Sequence, residues 1–258
     1  MATDQGILIA VEGIDGAGKT TQVQLLAEAL RSAGEGVTVS KEPTDGHWGR
    51  KIKESASNGR LPIEEELHIL TEDRKQHVQE VIRPALKEGD IVILDRYFYS
   101  TLAYQGARGV DVEEIDKQMR DFAPIPDMVL LLDVEPRKGI FRISEDRGET
   151  PNHFEGAEDL SKVRELFNRL SRVKDEIWKI DGSLSIEEVH ATIISLFIQN
   201  SFKEKRCAKS YGCDDIYHCG PRLNGNCQWF NVASKLLPNG GSNLSGVISK
   251  PVTNESGP

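Results

Sequence analysis

The stretch "VEGIDGAGKTT", residues 11–21, spaces Gly13, four residues, Gly18, Lys19 and Thr20 in the full phosphate-loop pattern. Just upstream, "ILIAV" (7–11) is continuously apolar and rich in β-branched residues, as suits a strand buried on both faces of a parallel sheet. Downstream, Val23, Leu26, Ala27 and Leu30 fall on one helical face, and Gly34 or Gly36 ends the helix. A Gly-rich loop between a strand and a helix start turns unpaired N–H groups and the positive end of the helix dipole toward a bound anion. Gly13, Ile14, Asp15, Gly16, Ala17, Gly18, Lys19, Thr20 and Thr21 are therefore the candidate phosphate cradle. Within it Lys19 reaches the outer phosphates and Thr20 offers a hydroxyl to Mg²⁺.

Four further strand-like runs follow, at 36–40, 90–95, 127–134 and 176–180, separated by long amphipathic segments, notably Glu64 to Lys87 and Leu160 to Lys174. Strands alternating with helices predict an α/β fold, a P-loop NTPase-type parallel five-stranded sheet flanked by helices. Ligands of such sheets sit at the carboxyl ends of the strands. There, after the third run, stand Asp95 and Arg96 of "DRYFYSTLAYQG". A carboxylate at that point can hold Mg²⁺ or its waters, and a guanidinium can grip a second phosphate through two parallel hydrogen bonds. A second phosphate site separates a kinase acting on a nucleotide from a simple NTPase. The alternative for the pair is a surface Asp–Arg contact. In "RISEDRGETPNHFE", Arg142 and Arg147 lead into Gly148, Pro151 and Asn152, the pattern of a helix breaking into a mobile loop. Taken alone the segment reads as Arg and Glu on a solvated helix end, whereas on a closing loop its arginines can neutralise a transferring phosphoryl group.

The net charge of −9 argues against a general nucleic-acid binder. Residues 201–258 carry seven Lys or Arg and four Asp or Glu, a net of +3, so the first 200 carry −12 and must make their anion contacts with a few placed cations. No apolar run approaches membrane-spanning length and no secretory signal opens the chain, so the expected location is cytoplasmic, without membrane contact. All four cysteines, Cys207, Cys213, Cys219 and Cys227, lie beyond residue 200, in a segment that ends Gly-, Ser-, Asn- and Pro-rich. Their spacing matches no zinc ribbon, whose ligands come as close pairs, although four thiolates so near in sequence leave a tetrahedral zinc site open. The division expected is a body over 1–200 and a weakly ordered extension over 201–258.

The blocks "EGIDGAGKTTQ", "EPTDG", "LTEDRKQHVQEVIRPALKEGDIVILDRYFYSTLAYQGA", "PDMVLLLDV" and "RISEDRG" stand in the order and spacing of the thymidylate kinase family, which the chain resembles over about residues 6–198. The resemblance implies transfer of the γ-phosphoryl of ATP to dTMP with Mg²⁺, by a protein that is usually a homodimer. It has Asp15 meet the sugar 3′-OH of dTMP or position the acceptor, and places Glu42 near the acceptor phosphate and its metal waters, Arg74 at the thymine edge and Arg96 on the dTMP phosphate. Thr101 faces polar atoms of thymine, Tyr104 crowds the sugar 2′ position, and the adjacent Gln105 belongs to the same acceptor group. Asp181, Gly182 and Ser183 form the turn against adenine, with Arg142 and Arg147 in the lid. Members place a catalytic arginine in the loop or in the lid; loop position 16 is glycine here, which implies Arg147 as the main catalytic arginine, with Arg142 supporting. Two departures stand out. Leu70 occupies the place of a phenylalanine that stacks on thymine, and Thr44 and Asp45 stand where some relatives have an arginine, with Arg50 the candidate to stand in. Leu70 keeps open a relative acting on another deoxynucleotide or nucleoside. A nucleotide-dependent switch is the other alternative, weakened by the lack of a guanine-reading N-K-x-D motif.

Overall fold

The computed structural model describes residues 6–146 and 157–203. Arg147 and the four cysteines lie outside the described residues, as does most of the 201–258 segment. Strands β1 (Ile7–Glu12), β2 (Val37–Lys41), β3 (Ile91–Asp95), β4 (Met128–Asp133) and β5 (Ile177–Asp181) form one parallel sheet in the order β2-β3-β1-β4-β5. The predicted strands are thus all present, with ends displaced by about one residue, the usual slack at element boundaries. Leu8 to Val11 of β1 and Ile91 to Leu94 of β3 are buried, which is why these runs are apolar without alternation.

The register aligns Val11 with Asp95, Lys41 with Asp95, and Asp133 with Asp181, so the strands end along one edge of the sheet. Because β1 is the central strand, the loop that follows it sits at the middle of that edge, where connections leave toward both sides. Helix α1 (Lys19–Ala33) starts there, buries Val23, Leu26, Ala27 and Leu30, and ends at Gly34, whose φ of 97° is the left-handed turn glycine adopts without strain. It packs against α9 (Ile186–Lys203). Helix α5 (Phe98–Gly106) packs against α6 (Val112–Arg120) and α8 (Ala157–Val173).

The expected segment from Glu64 to Lys87 is continuous but not uniform. Helix α3 (Ile63–His77) passes through a π-helical turn at Val78–Ile82 into α4 (Arg83–Glu88). Pro84 lacks an N–H and its ring would crowd the carbonyl four residues earlier, that of Glu80, which lies inside the widened turn. Helix α2 (His47–Asn58) and α7 (Pro136–Phe141), the latter running into a second π turn at Arg142–Asp146, complete the surroundings of the site. Among the described residues, no helix is long and apolar enough to cross a membrane.

Candidate active site

The cradle is built around three glycines with positive φ: Gly13 at 144°, Gly16 at 76° and Gly18, which caps α1, at 91°. Lys19 opens α1 and folds back, donating from Nζ to the carbonyl oxygens of Gly13 (3.1 Å) and Ile14 (2.8 Å). Burial, then the nearby charge of Arg96, pulls its pKa down to about 8, partly offset by Asp15, Asp95 and Glu12. Gly16 has a second reason to lack a side chain. A Cβ there would strike the carbonyl oxygen of Gly139 on α7, and a Cβ on Gly139 would stand 2.5 Å from the carbonyl oxygen of Asp15. Backbone thus packs on backbone, and no arginine fits at position 16.

Helix α7 and the turn that follows hold this side of the site from above. Arg142 donates to the carbonyl oxygens of Gly16 (3.4 Å) and Gly182 (3.1 Å), joining the loop to the turn after β5. Lys138, which the sequence reading passed over, donates to the carbonyl of Ser183 at 2.6 Å. That turn is braced by Ser183 N–H donating to the Asp181 carboxylate at 2.8 Å and Gly182 N–H to the Asp133 carbonyl at 3.0 Å.

A cleft of about 160 Å³ is lined by Asp95, Arg96, Lys41, Glu42, Pro43 and Lys53 together with Asp15, Gly16, Gly18, Lys19 and Thr20. Asp95 and Arg96 are not partners of each other. The Asp95 carboxylate accepts from the Thr20 hydroxyl at 2.5 Å, whereas Arg96 turns to Asp15, donates to Ser100 Oγ at 3.0 Å and approaches the Gly13 carbonyl at 3.4 Å. Arg96 has a φ of 70°, in the left-handed region that costs a non-glycine residue on the order of 1–3 kcal/mol and persists only where its surroundings hold it. Burial works to raise the pKa of Asp15, but the charges of Arg96 and Lys19 and the Tyr104 hydroxyl, which donates at 2.9 Å, hold it at about 2. Asp15 is therefore an anion clasped by the groups that face it.

Lys53 was missed in the sequence because α2 carries no cap signal and its cation resembles any solvated lysine. Arg50, the cation expected to stand in beside "EP", donates instead to the Asp45 carbonyl at 2.8 Å, whereas Lys53 lines the cleft and pairs with the Asp45 carboxylate at 2.5 Å.

The residues that the resemblance assigns to the acceptor divide into separate hydrogen-bonded clusters. Arg74 is 2 % exposed and donates to Glu42 Oε2 from Nε (2.8 Å) and Nη2 (2.6 Å), and from Nη2 to Thr101 Oγ1 at 3.0 Å. Its Nη1 meets the Met119 thioether at 3.1 Å, a weak acceptor. Glu42 also meets His77 Nδ1 at 2.9 Å; burial opposes its charge, but Arg74 and His77 outweigh that and lower its pKa. Gln105 is buried and donates to Glu66 at 2.5 Å, in a clasp with Arg60 and Arg108. Leu70 is partly exposed on α3, one turn before Arg74. Arg74, Glu42 and Thr101 thus form one hydrogen-bonded cluster, Tyr104, Asp15 and Arg96 a second, and Gln105 sits in a third with Glu66.

A family model of thymidylate kinase matches residues 11–193. Among individual proteins, the chain is 47% identical over 194 residues to the thymidylate kinase of Xanthomonas oryzae pv. oryzae (strain PXO99A), spanning 74% of this chain and 84% of that protein. It is equally similar to the thymidylate kinase of Xylella fastidiosa (strain M12), at 47% over 194 residues, 75% of this chain and 88% of that protein. The match covers the Gly-rich loop and the Asp95–Arg96 turn and ends before the cysteines, and with it the chain belongs to the thymidylate kinase family.

Proposed function

We propose that this enzyme transfers the γ-phosphoryl group of ATP to the 5′-phosphate of dTMP, giving dTDP and ADP. An oxygen of the dTMP phosphate attacks the γ-phosphorus as the bond to the β–γ bridging oxygen breaks, and the electron pair leaves with ADP. The observation that carries this reading is one cleft lined both by the phosphate cradle with Lys19 and by Arg96, on a strained turn. Such a transfer asks for in-line positioning and charge neutralisation rather than a strong base. Lys19 leaves the loop carbonyls for the donor's outer phosphates, and Arg96 with Lys53 takes the acceptor phosphate.

The Thr20 hydroxyl and the Asp95 carboxylate, two hard oxygen donors in contact, suit Mg²⁺, which favours one or two carboxylates plus substrate phosphates. Bound there, Mg²⁺ would neutralise charge on the phosphates. Arg74 Nη1 would exchange a thioether for a carbonyl of thymine, with Thr101 beside it and Leu70 supplying apolar contact without a π-stack. Tyr104 and Asp15 stand where the deoxyribose meets the loop, and the turn at Asp181–Ser183 is assigned to adenine. Arg147 is assigned as the lid cation on the transferring group, with Arg142 holding the two donor loops in register. A homodimer is part of the same reading, taken from the family resemblance.

The test is ADP release from ATP with dTMP, dUMP, dCMP, dGMP and thymidine as acceptors. Turnover that depends on dTMP supports the proposal. Hydrolysis indifferent to every acceptor points to a switch, and preference for another acceptor moves the assignment to that compound.

A further inference from the structure

Glu12 ends β1 immediately before the loop, is fully buried, and has no part in the roles above. Its Oε1 accepts from the backbone N–H of Tyr97 at 2.8 Å and of Ser100 at 3.2 Å, and its Oε2 accepts from the Ser100 hydroxyl at 2.6 Å. All three donors lie on the turn that carries Arg96 into α5, whose first turn has no side-chain cap of its own. The same Ser100 oxygen accepts from Arg96 Nη1 at 3.0 Å. In its ionised form the carboxylate only accepts, so it draws the Ser100 hydrogen toward itself and leaves an oxygen lone pair facing the guanidinium. The Arg96 backbone is pinned from the same strand, its N–H donating to the Val11 carbonyl at 3.0 Å.

We propose that Glu12 is a positioning residue for the acceptor phosphate: through Ser100 it aims the Arg96 guanidinium into the cleft and fixes it relative to the loop that follows Glu12 in the chain. The inference rests on Arg96 as the acceptor-phosphate group. It accounts for a left-handed arginine, since a strained backbone survives where neighbouring bonds over-determine it. It also accounts for a carboxylate at a fully buried position, where burial, opposed by Ser100, Arg96 and Tyr97, lifts its pKa to about 7. An amide would offer an NH₂ to groups that are themselves donors.

The experiment compares Glu12→Gln, Ser100→Ala, Arg96→Ala and the double variant Glu12→Gln/Arg96→Ala by steady-state kinetics with ATP and dTMP. Circular dichroism melts are recorded beside them. The expected result is a dTMP KM raised about tenfold by Glu12→Gln and several-fold by Ser100→Ala, with the ATP KM within about twofold of wild type. The double variant should be no worse than Arg96→Ala alone. An equal rise in both KM values, or a full Glu12→Gln cost persisting without Arg96, overturns the positioning role. If Glu12→Gln does not fold, Ser100→Ala decides, because it keeps the carboxylate and cuts the relay; an unchanged dTMP KM there overturns the inference. Calorimetry of dTMP on the wild-type protein and on Glu12→Gln and Ser100→Ala keeps the two readings apart: absence of binding to wild type defeats the acceptor assignment, whereas binding unaffected by Glu12→Gln and by Ser100→Ala defeats only Glu12.

Discussion

Replacing Glu12 by glutamine should remove a pH dependence of stability that wild type carries. Its folded pKa of about 7 lies above the ordinary 4.5, so the native state holds this proton more tightly than the unfolded chain. The stability Glu12 contributes is therefore complete below the unfolded value and is lost as pH rises through the folded one. Worked through the linkage relation, the loss between about pH 5 and about pH 7.5 is on the order of 2 kcal/mol. Asp15 and Glu42, whose pKa values are depressed, act with the opposite sign, but both proteins keep them, so the difference isolates Glu12. Urea unfolding of both proteins at the two pH values reads the effect: the stability of wild type relative to Glu12→Gln should fall by about that amount as pH rises. A relative stability that is flat across the range, or that rises, refutes the assignment of a buried, high-pKa carboxylate to this position.

Gly16→Ala should lower stability by about 1–3 kcal/mol, from its left-handed φ and the collision with the Gly139 carbonyl, and should raise the ATP KM; an unchanged melt contradicts the backbone packing of loop on α7. Lys53→Ala should raise the dTMP KM several-fold while the melt stays put, because its partner Asp45 is exposed and surface pairs contribute little. A shift in the ATP KM instead would move Lys53 to the donor side. Leu70→Phe restores an aromatic face and should tighten dTMP by about 0.5–1.5 kcal/mol, read as a lower KM; no change places Leu70 away from the base.

The sequence exposed those parts of the site that rest on local chain geometry. A Gly-rich loop after a β-branched run, with a lysine opening a helix, leaves few other structures open, and the strand-like runs read at 90–95 and 127–134 hold the buried strands Ile91–Asp95 and Met128–Asp133. What stayed hidden depends on distant partners. Nothing local to "DRY" shows that Arg96 takes a left-handed φ, that Asp95 turns to Thr20, or that the strain is held from β1 by Glu12, 88 positions before Ser100. Lys53 was equally illegible, since its place in the cleft follows from how α2 packs on α3. Arg142 read as a phosphate-directed lid arginine, yet its bonds run to the carbonyls of Gly16 and Gly182, contacts that only the fold brings within reach.

The most direct test is calorimetric titration of Arg96→Ala with dTMP and, separately, with an ATP analogue. Removing charge-assisted bonds to the acceptor phosphate should weaken dTMP about thirtyfold or more and leave ATP-analogue affinity within about twofold. Unchanged dTMP affinity, or equal losses for both ligands, would contradict two phosphates held by separate cations in one cleft.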